Sequence, residues 1–153
     1  MKQVDKRVTL CSLEEPASNM STTWYITKEY LKRMEISFEE NGRKTFSLFP
    51  YGPPKTEEIE VFPGMTWISL TTRLMDINDL KPESREMACE QLLKANAKLV
   101  EVTFGIDKKS CVILRNALPV TGISYDAFSS TYEAHISGIK FFHTKLKPTL
   151  LRE

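Results

Sequence analysis

The sequence predicts an α+β domain in which an antiparallel sheet packs against three helices, in the order α-β-β-β-α-β-β-α with room for one extra strand. Three segments carry apolar residues at helical spacing, the strand-like segments fall into two clusters, and turn signals separate the strands. Strands that cluster, instead of alternating singly with helices, are typical of an antiparallel sheet and not of a doubly wound parallel one.

The first helix is predicted over residues 23–34. Its apolar residues recur near helical spacing at Trp24, Ile26, Tyr30, Leu31 and Met34. Residues 1–20 surround one short apolar patch with charged and polar side chains, and we expect them to form a flexible tail ahead of a single domain over residues 21–153. In an alternative that stays open, the patch at 8–10 adds a strand to a sheet edge.

A first cluster of strands is predicted between the first two helices. Asn41-Gly42 is a tight-turn signal because both residues tolerate positive φ, and alternating apolar residues precede and follow it. The segment 50–54, rich in proline and glycine, marks a loop. Two further strands are predicted near 58–61 and 67–75, on either side of a Pro63-Gly64 turn.

The second helix is the clearest, because Pro82 suits a first helical turn and apolar residues follow at helical spacing. That apolar stripe comprises Ala88, Leu92, Ala95 and Leu99. Alternation over 100–106 and a polar turn at 107–110 predict a second hairpin. Ser124 is a suitable cap for the last helix, and Pro148 marks its end.

Charge and composition argue against several classes of function. Lysine and arginine number 21 against 20 aspartates and glutamates, which gives a net charge of +1. Proteins that bind nucleic acids or anionic membrane surfaces usually concentrate positive charge, so we expect neither partner. The sequence has no apolar run that could span a membrane and no signal-peptide pattern at its start, which predicts a cytoplasmic protein.

No catalytic or metal-binding set of residues is recognisable, and we expect no cofactor. Neither a nucleophile elbow nor a phosphate-binding glycine loop occurs. His135 and His143 are two turns apart on the last predicted helix and do not form a close ligand pair. The sequence has three cysteines, Cys11, Cys89 and Cys111. Their odd number and wide spacing do not suggest a disulfide framework.

The aromatic residues are the stronger functional signal. Phe46 lies in one register of the second strand, whereas Phe49 and Tyr51 lie in the other. One layer of helices buries a single face of a sheet, so part of this group should be exposed and able to contact a partner. The predicted partner-binding residues are Trp24, Tyr25, Phe49, Tyr51 and Trp67.

The second half of the chain carries a pattern that resembles a known family. The second helix contains Gln91-Leu92-Leu93-Lys94-Ala95-Asn96, the next strand ends with Phe104-Gly105-Ile106-Asp107, and the return strand Val112-Ile113-Leu114 leads to Leu118-Pro119. Together with the element order, these motifs resemble YbjN-like proteins and type III secretion chaperones. The resemblance implies a protein-binding module, often a homodimer, that holds a partner segment on its sheet and helix surface.

The leading hypothesis is therefore a non-catalytic, chaperone-like homodimer that recognises another polypeptide. Met87, Cys89 and Leu93, toward the flank of the second helix, are the predicted dimer contacts. Two rivals remain open. One is a small-ligand-binding protein or enzyme whose site is assembled only in space, and the other is a structural subunit of a larger complex.

Overall fold

The computed structural model describes residues 15–52 and 57–151, with side chains from Thr22 onward. The main elements are α1 (Glu15–Met34), β1 (Phe38–Asn41), β2 (Thr45–Leu48), β3 (Ile59–Pro63), β4 (Trp67–Asp76), α2 (Pro82–Lys98), β5 (Thr103–Ile106), β6 (Cys111–Pro119) and α3 (Tyr125–Phe141). A short helical turn precedes α2, and α3 continues through a π-helical turn, Phe142–Leu146, into a last turn, Lys147–Leu150. The predicted α+β class and element order, with the extra strand, are confirmed.

Helix α1 begins at Glu15, eight residues before the predicted start, so residues 15–20 are helical. The prediction included these residues, Glu15 and Pro16 among them, in a flexible tail over residues 1–20. Proline fits a first helical turn because its missing N–H has no partner there in any case, and an acidic residue suits the positive end of the helix dipole. Residues 1–14, including the patch at 8–10, lie outside the described residues, and their flexibility stays a prediction.

The strands form one antiparallel sheet in the order β1-β2-β3-β4-β6-β5. The central strands, β4 and β6, pair from Trp67 opposite Pro119 to Asp76 opposite Cys111. Strands β1 and β5 form the two edges. Because successive side chains of a strand point to opposite faces, the sheet presents two surfaces of different composition.

Helices α1 and α3 cover one face of the sheet, α1 over β3 and α3 over β4 and β6. The core between them includes Phe46, Leu48, Ile59, Val61, Ile68, Leu70, Leu114, Phe128, Ile139 and Phe142. Gly138 lets α3 lie close to β6, since a Cβ there would come within 2.7 Å of a Leu114 methyl carbon. The apolar residues of one strand register are therefore buried under these two helices.

A chain of polar side chains crosses this core. Asn116 donates its amide N–H to the Thr131 carbonyl at 3.0 Å, so its Oδ1 is left to accept from His135 Nδ1–H at 2.9 Å. The other ring nitrogen of His135, Nε2, then accepts from the Thr72 hydroxyl at 2.7 Å. His135 is fully buried, and this desolvation lowers its pKa from 6.5 to about 4. The network therefore holds a neutral imidazole.

Helix α2 covers the outer edge of β5 through one side chain. The Asn96 side chain accepts from the Phe104 backbone N–H at 2.7 Å and donates to the Phe104 carbonyl at 3.1 Å. These two bonds take the place of the ladder that a further strand would make, so they block the edge at this position. The asparagine of the Leu-Leu-x-x-Asn pattern therefore has a structural role.

We expect Asn96→Ala to lower the free energy of unfolding by roughly 1–3 kcal/mol, because two half-buried backbone groups of Phe104 lose their partners. Urea denaturation measures the loss. Lys98→Ala, on the exposed side of the same helix, is the matched control and should change stability by less than about 0.5 kcal/mol. An equal effect of the two substitutions would show that the edge bonds contribute nothing.

We expect the free energy of unfolding to fall as the pH drops from 7 to 5, because His135 becomes protonated in the unfolded chain and stays neutral in the folded one. The folded pKa is depressed, so the contribution is complete above about pH 6.5 and is lost as the pH falls toward 4. Between pH 7 and 5 the loss should be about 2 kcal/mol. Denaturation of wild type and His135→Gln checks this, and parallel pH profiles would contradict it.

Candidate functional site

The second face of the sheet is not covered by any helix among the described residues, and we call it the open face. Side chains that point to this face alternate with the buried ones along each strand. Phe62 and Glu60 are exposed next to buried Val61, and Arg115 is exposed next to buried Leu114. The strand register aligns one row across all six strands, namely Glu39, Ser47, Glu60, Thr71, Arg115 and Thr103.

One half of the open face is apolar. A groove of about 780 Å³ lies here, and we call it the apolar groove; it is lined by Phe62, Gly64, Met65, Thr66, Trp67, Ser69, Thr103, Phe104, Gly105, Ile113, Arg115, Asn116 and Ala117. Three of its large side chains remain open to solvent, with exposures of 44% for Phe62, 47% for Met65 and 53% for Trp67. Clusters of exposed, large apolar side chains are typical of protein interfaces and ligand-binding grooves.

The β3–β4 turn positions this cluster. The Gly64 N–H donates to the Trp67 carbonyl at 2.9 Å and closes the turn. A Cβ on Gly64 would lie 2.9 Å from both the Phe62 ring and the Trp67 carbonyl oxygen. Glycine is therefore required for the ring to lie against the backbone of the turn, and the Pro63-Gly64 signal of the sequence sets the shape of the groove.

The other half of the open face is acidic. A second groove of about 700 Å³, called here the acidic groove, is lined by Glu39, Ser47, Phe49, Glu57, Glu58, Glu60, Thr71, Arg73, Asp107 and Ile113. Five of these residues carry carboxylates and one carries a guanidinium. Ile113 lines both grooves, so they are neighbours on the open face.

Contacts within the acidic groove hold its carboxylates in place. Asp107 accepts hydrogen bonds from the backbone N–H groups of Cys111 and Lys109, which together with nearby Arg73 lower its pKa. Glu58 accepts a hydrogen bond from the Ser47 hydroxyl at 2.5 Å. Glu57 pairs with His143, which connects the groove to the end of α3. These acids are built into turns and cross-strand contacts.

Burial changes the pKa of several side chains among the described residues. Burial raises the pKa of Cys111, so its thiol is a poor nucleophile at neutral pH. Burial likewise raises the pKa of Tyr132 to about 12, and burial followed by the charge of Glu57 raises that of Tyr51. Within 15–52 and 57–151, no three His, Cys, Asp or Glu side chains are grouped to hold a metal ion. None of the helices in these ranges is both long and apolar enough to cross a bilayer.

The structure does not bring the five predicted partner-binding residues together. Trp24 is a correction: it is 3% exposed and stacks on Phe46 with ring centroids 5.1 Å apart, so it belongs to the core. Phe49 is also mostly buried, although it lines the acidic groove. Tyr25, Tyr51 and Trp67 are about half exposed, and of these Trp67 lines the apolar groove.

The sequence reasoning missed Phe62 and Met65 as site residues. The signal for Phe62 was present, because Ile59 and Val61 alternate as the buried register and leave Phe62 in the other. Met65 carried no such signal, since it lies in a turn where no periodicity applies. Only the folding of the turn brings it beside Trp67 in the apolar groove.

The predicted dimer contacts divide between two sides of α2. Ala88, Leu92 and Ala95 form the buried face of this helix. At about 100° per residue, Met87 lies on one flank of that face, and Cys89 and Leu93 lie one turn apart on the other. Leu93 is 70% exposed, whereas Met87 and Cys89 are half-buried. Cys89 and Leu93 therefore lie on the same flank, and Met87 as a dimer contact stays a prediction.

Several solved structures have the same fold. A chain of the ExsC-ExsE complex aligns with a TM-score of 0.60 at 17% identity, covering 83% of this chain and 95% of that one. YbjN from E. coli, described as a putative transcription regulator, aligns at 0.59 and 14% identity, covering 80% and 93%. A chain from the Yersinia pestis type III secretion chaperone SycH in complex with a stable fragment of YscM2 aligns at 0.51 and 12%, covering 79% and 97%.

Sequence comparison adds nothing to these structural matches, since no protein-family model and no curated protein matches the chain. Identities of 12–17% establish likeness of fold alone. The aligned regions nevertheless span nearly the whole of each related chain. The protein therefore shares its fold with YbjN and with type III secretion chaperones, as the resemblance in its sequence implied.

Proposed function

We propose that this protein is a non-catalytic, chaperone-like binding module that recognises a polypeptide partner through the open face of its sheet. The observation that carries the proposal is the exposed cluster of Phe62, Met65 and Trp67 in the apolar groove. A cytoplasmic location remains the prediction of the sequence.

The physical argument is that these side chains are unfavourably placed in an isolated chain. Fully burying one side chain of this size contributes about 1.5–3 kcal/mol, and each of the three is about half exposed. A partner that covers them would therefore gain on the order of 2–4 kcal/mol from this cluster. Tryptophan is also among the residues that most often dominate binding energy at protein interfaces.

The structural neighbours support the same function. Two of the matched chains come from complexes with a second protein, ExsC with ExsE and the chaperone SycH with a fragment of YscM2. Those titles describe the neighbours, and for this chain they support the proposal that the shared fold presents a surface to a polypeptide. The two grooves, of about 780 and 700 Å³, are also large enough for the rival of a small-ligand protein or enzyme, and the capture experiment below distinguishes the two functions.

A homodimer is the second part of the proposal. Leu93 presents a large apolar side chain on the outer flank of α2, and Cys89 lies one turn before it. In a two-fold symmetric contact, the same flank of each copy would cover the other. The exposed Leu93 side chains of both protomers would then be buried in one interface.

Affinity capture from the native host tests the binding function. We expect one or a few proteins to be captured in stoichiometric amounts, and Trp67→Ala to reduce capture at least about tenfold, the effect of losing an interface anchor of about 1.4 kcal/mol or more. Leu151→Ala, an apolar side chain of similar exposure at 48%, is the matched control. Full capture by a folded Trp67→Ala variant would contradict the proposed site, and capture of nothing would favour the small-ligand rival.

Light scattering tests the dimer. We expect the wild-type chain to have twice the mass of a monomer and Leu93→Glu to have the mass of one chain, because the substitution places a carboxylate in each half of an apolar contact. Leu151→Glu should leave the mass unchanged. A wild-type monomer, or a Leu93→Glu dimer, would place the contact elsewhere or remove it.

A further inference from the structure

From the composition of the open face we infer which chemical class of polypeptide it takes: an extended segment with bulky apolar residues at one end and lysine or arginine at the other. The inference rests on the proposed function and adds to it the chemistry of the partner. Its basis is that the apolar groove and the acidic groove are consecutive along one strand.

Strand β4 runs through both grooves and sets their spacing. Trp67 and Ser69 line the apolar groove, and Thr71 and Arg73 line the acidic groove. Six residue steps separate Trp67 from Arg73, which is about 20 Å at the rise of an extended strand. A segment of about six to eight residues in extended conformation would therefore reach from the exposed tryptophan to the carboxylates.

The negative charge of the acidic groove determines which residues the segment should carry at the end that lies there. Five of its lining residues carry carboxylates, whereas Arg73 carries a guanidinium 3.6 Å from Asp107 and His143 pairs with Glu57. Glu60 and Glu39 flank Ser47 in the cross-strand row, so both point to the same side of the sheet. An excess of fixed negative charge beside an apolar groove is complementary to a cationic segment with an apolar anchor.

The same charges disfavour other occupants. The phosphates of a nucleic acid would be repelled by this surface. A second copy of the chain, meeting the first open face to open face, would set each acidic groove against either the acidic or the apolar groove of the other copy, and neither arrangement supplies cations to the carboxylates. A flexible polypeptide can place apolar and basic residues in sequence along the two grooves.

The test uses the emission of Trp67, which is half exposed and should shift to shorter wavelength when it is covered. Trp24→Phe removes the other tryptophan of the chain, which is buried. Three synthetic eight-residue peptides are compared. The first has leucine and phenylalanine at one end and lysine and arginine at the other. The second has glutamate in place of lysine and arginine, and the third has the residues of the first in alternating order. Calorimetry on the wild-type chain repeats the comparison without the Trp24 substitution.

We expect the basic segmented peptide to bind at least about tenfold more tightly than the acidic one, and to lose most of this advantage between about 0.1 M and about 1 M salt, where the screening length falls from about 10 to about 3 Å. Glu60→Lys should reduce or reverse the preference. Glu86→Lys, an exposed acid of α2 outside both grooves, should leave it unchanged.

The outcomes separate this inference from the proposed function. Equal binding of basic and acidic peptides would overturn the charge requirement and leave the proposed site intact. Binding of the captured host protein at Trp67, with no response to any peptide, would overturn the extended-segment inference alone. No change of Trp67 emission with peptides or with the captured protein would remove the open face as a site, and the proposed function with it.

Discussion

A sheet of six strands has two faces, and the described part of this chain packs helices onto only one of them. The residues of one strand register, such as Val61 and Leu114, are buried beneath α1 and α3, and the residues of the other register face away from them. Core packing therefore does not constrain which residues occupy that second register. This constraint decides where function can lie, because a surface the fold does not bury is the surface that a partner can cover.

Two sets of hydrogen bonds fix the position of the helices on the sheet. Within the core, His135 connects α3 to β4 through Thr72 and to β6 through Asn116, and each partner in the chain is satisfied by hydrogen bonds. Such a network specifies one register of helix on sheet, since a shift would leave buried polar groups unpaired. At the edge, Asn96 closes β5 against further strand pairing. The sheet is thus held in place by bonds that are sensitive to geometry, while the apolar core supplies most of the burial.

The open face combines an apolar surface with an acidic one. In the proposed function, the apolar groove would give binding energy without much selectivity, because any bulky side chain can cover Phe62 and Trp67. The acidic groove would give selectivity and faster encounter with cationic partners, but little net affinity in water. Both grooves include Ile113 in their lining, so one segment could contact both.

Local patterns in the sequence were enough to determine the fold class, the order of elements and the turns at Asn41-Gly42 and Pro63-Gly64, because periodicity and turn chemistry act over a few residues. They also gave Trp67 as an exposed aromatic. They could not place Trp24, which reads as a surface aromatic of α1 until Phe46 is packed against it. Nor could they gather Phe62, Met65 and the five groove carboxylates, which come from two strands, two loops and a turn. Pairing between distant strands is set by the whole sheet, so only the tertiary structure decided which exposed residues form one surface.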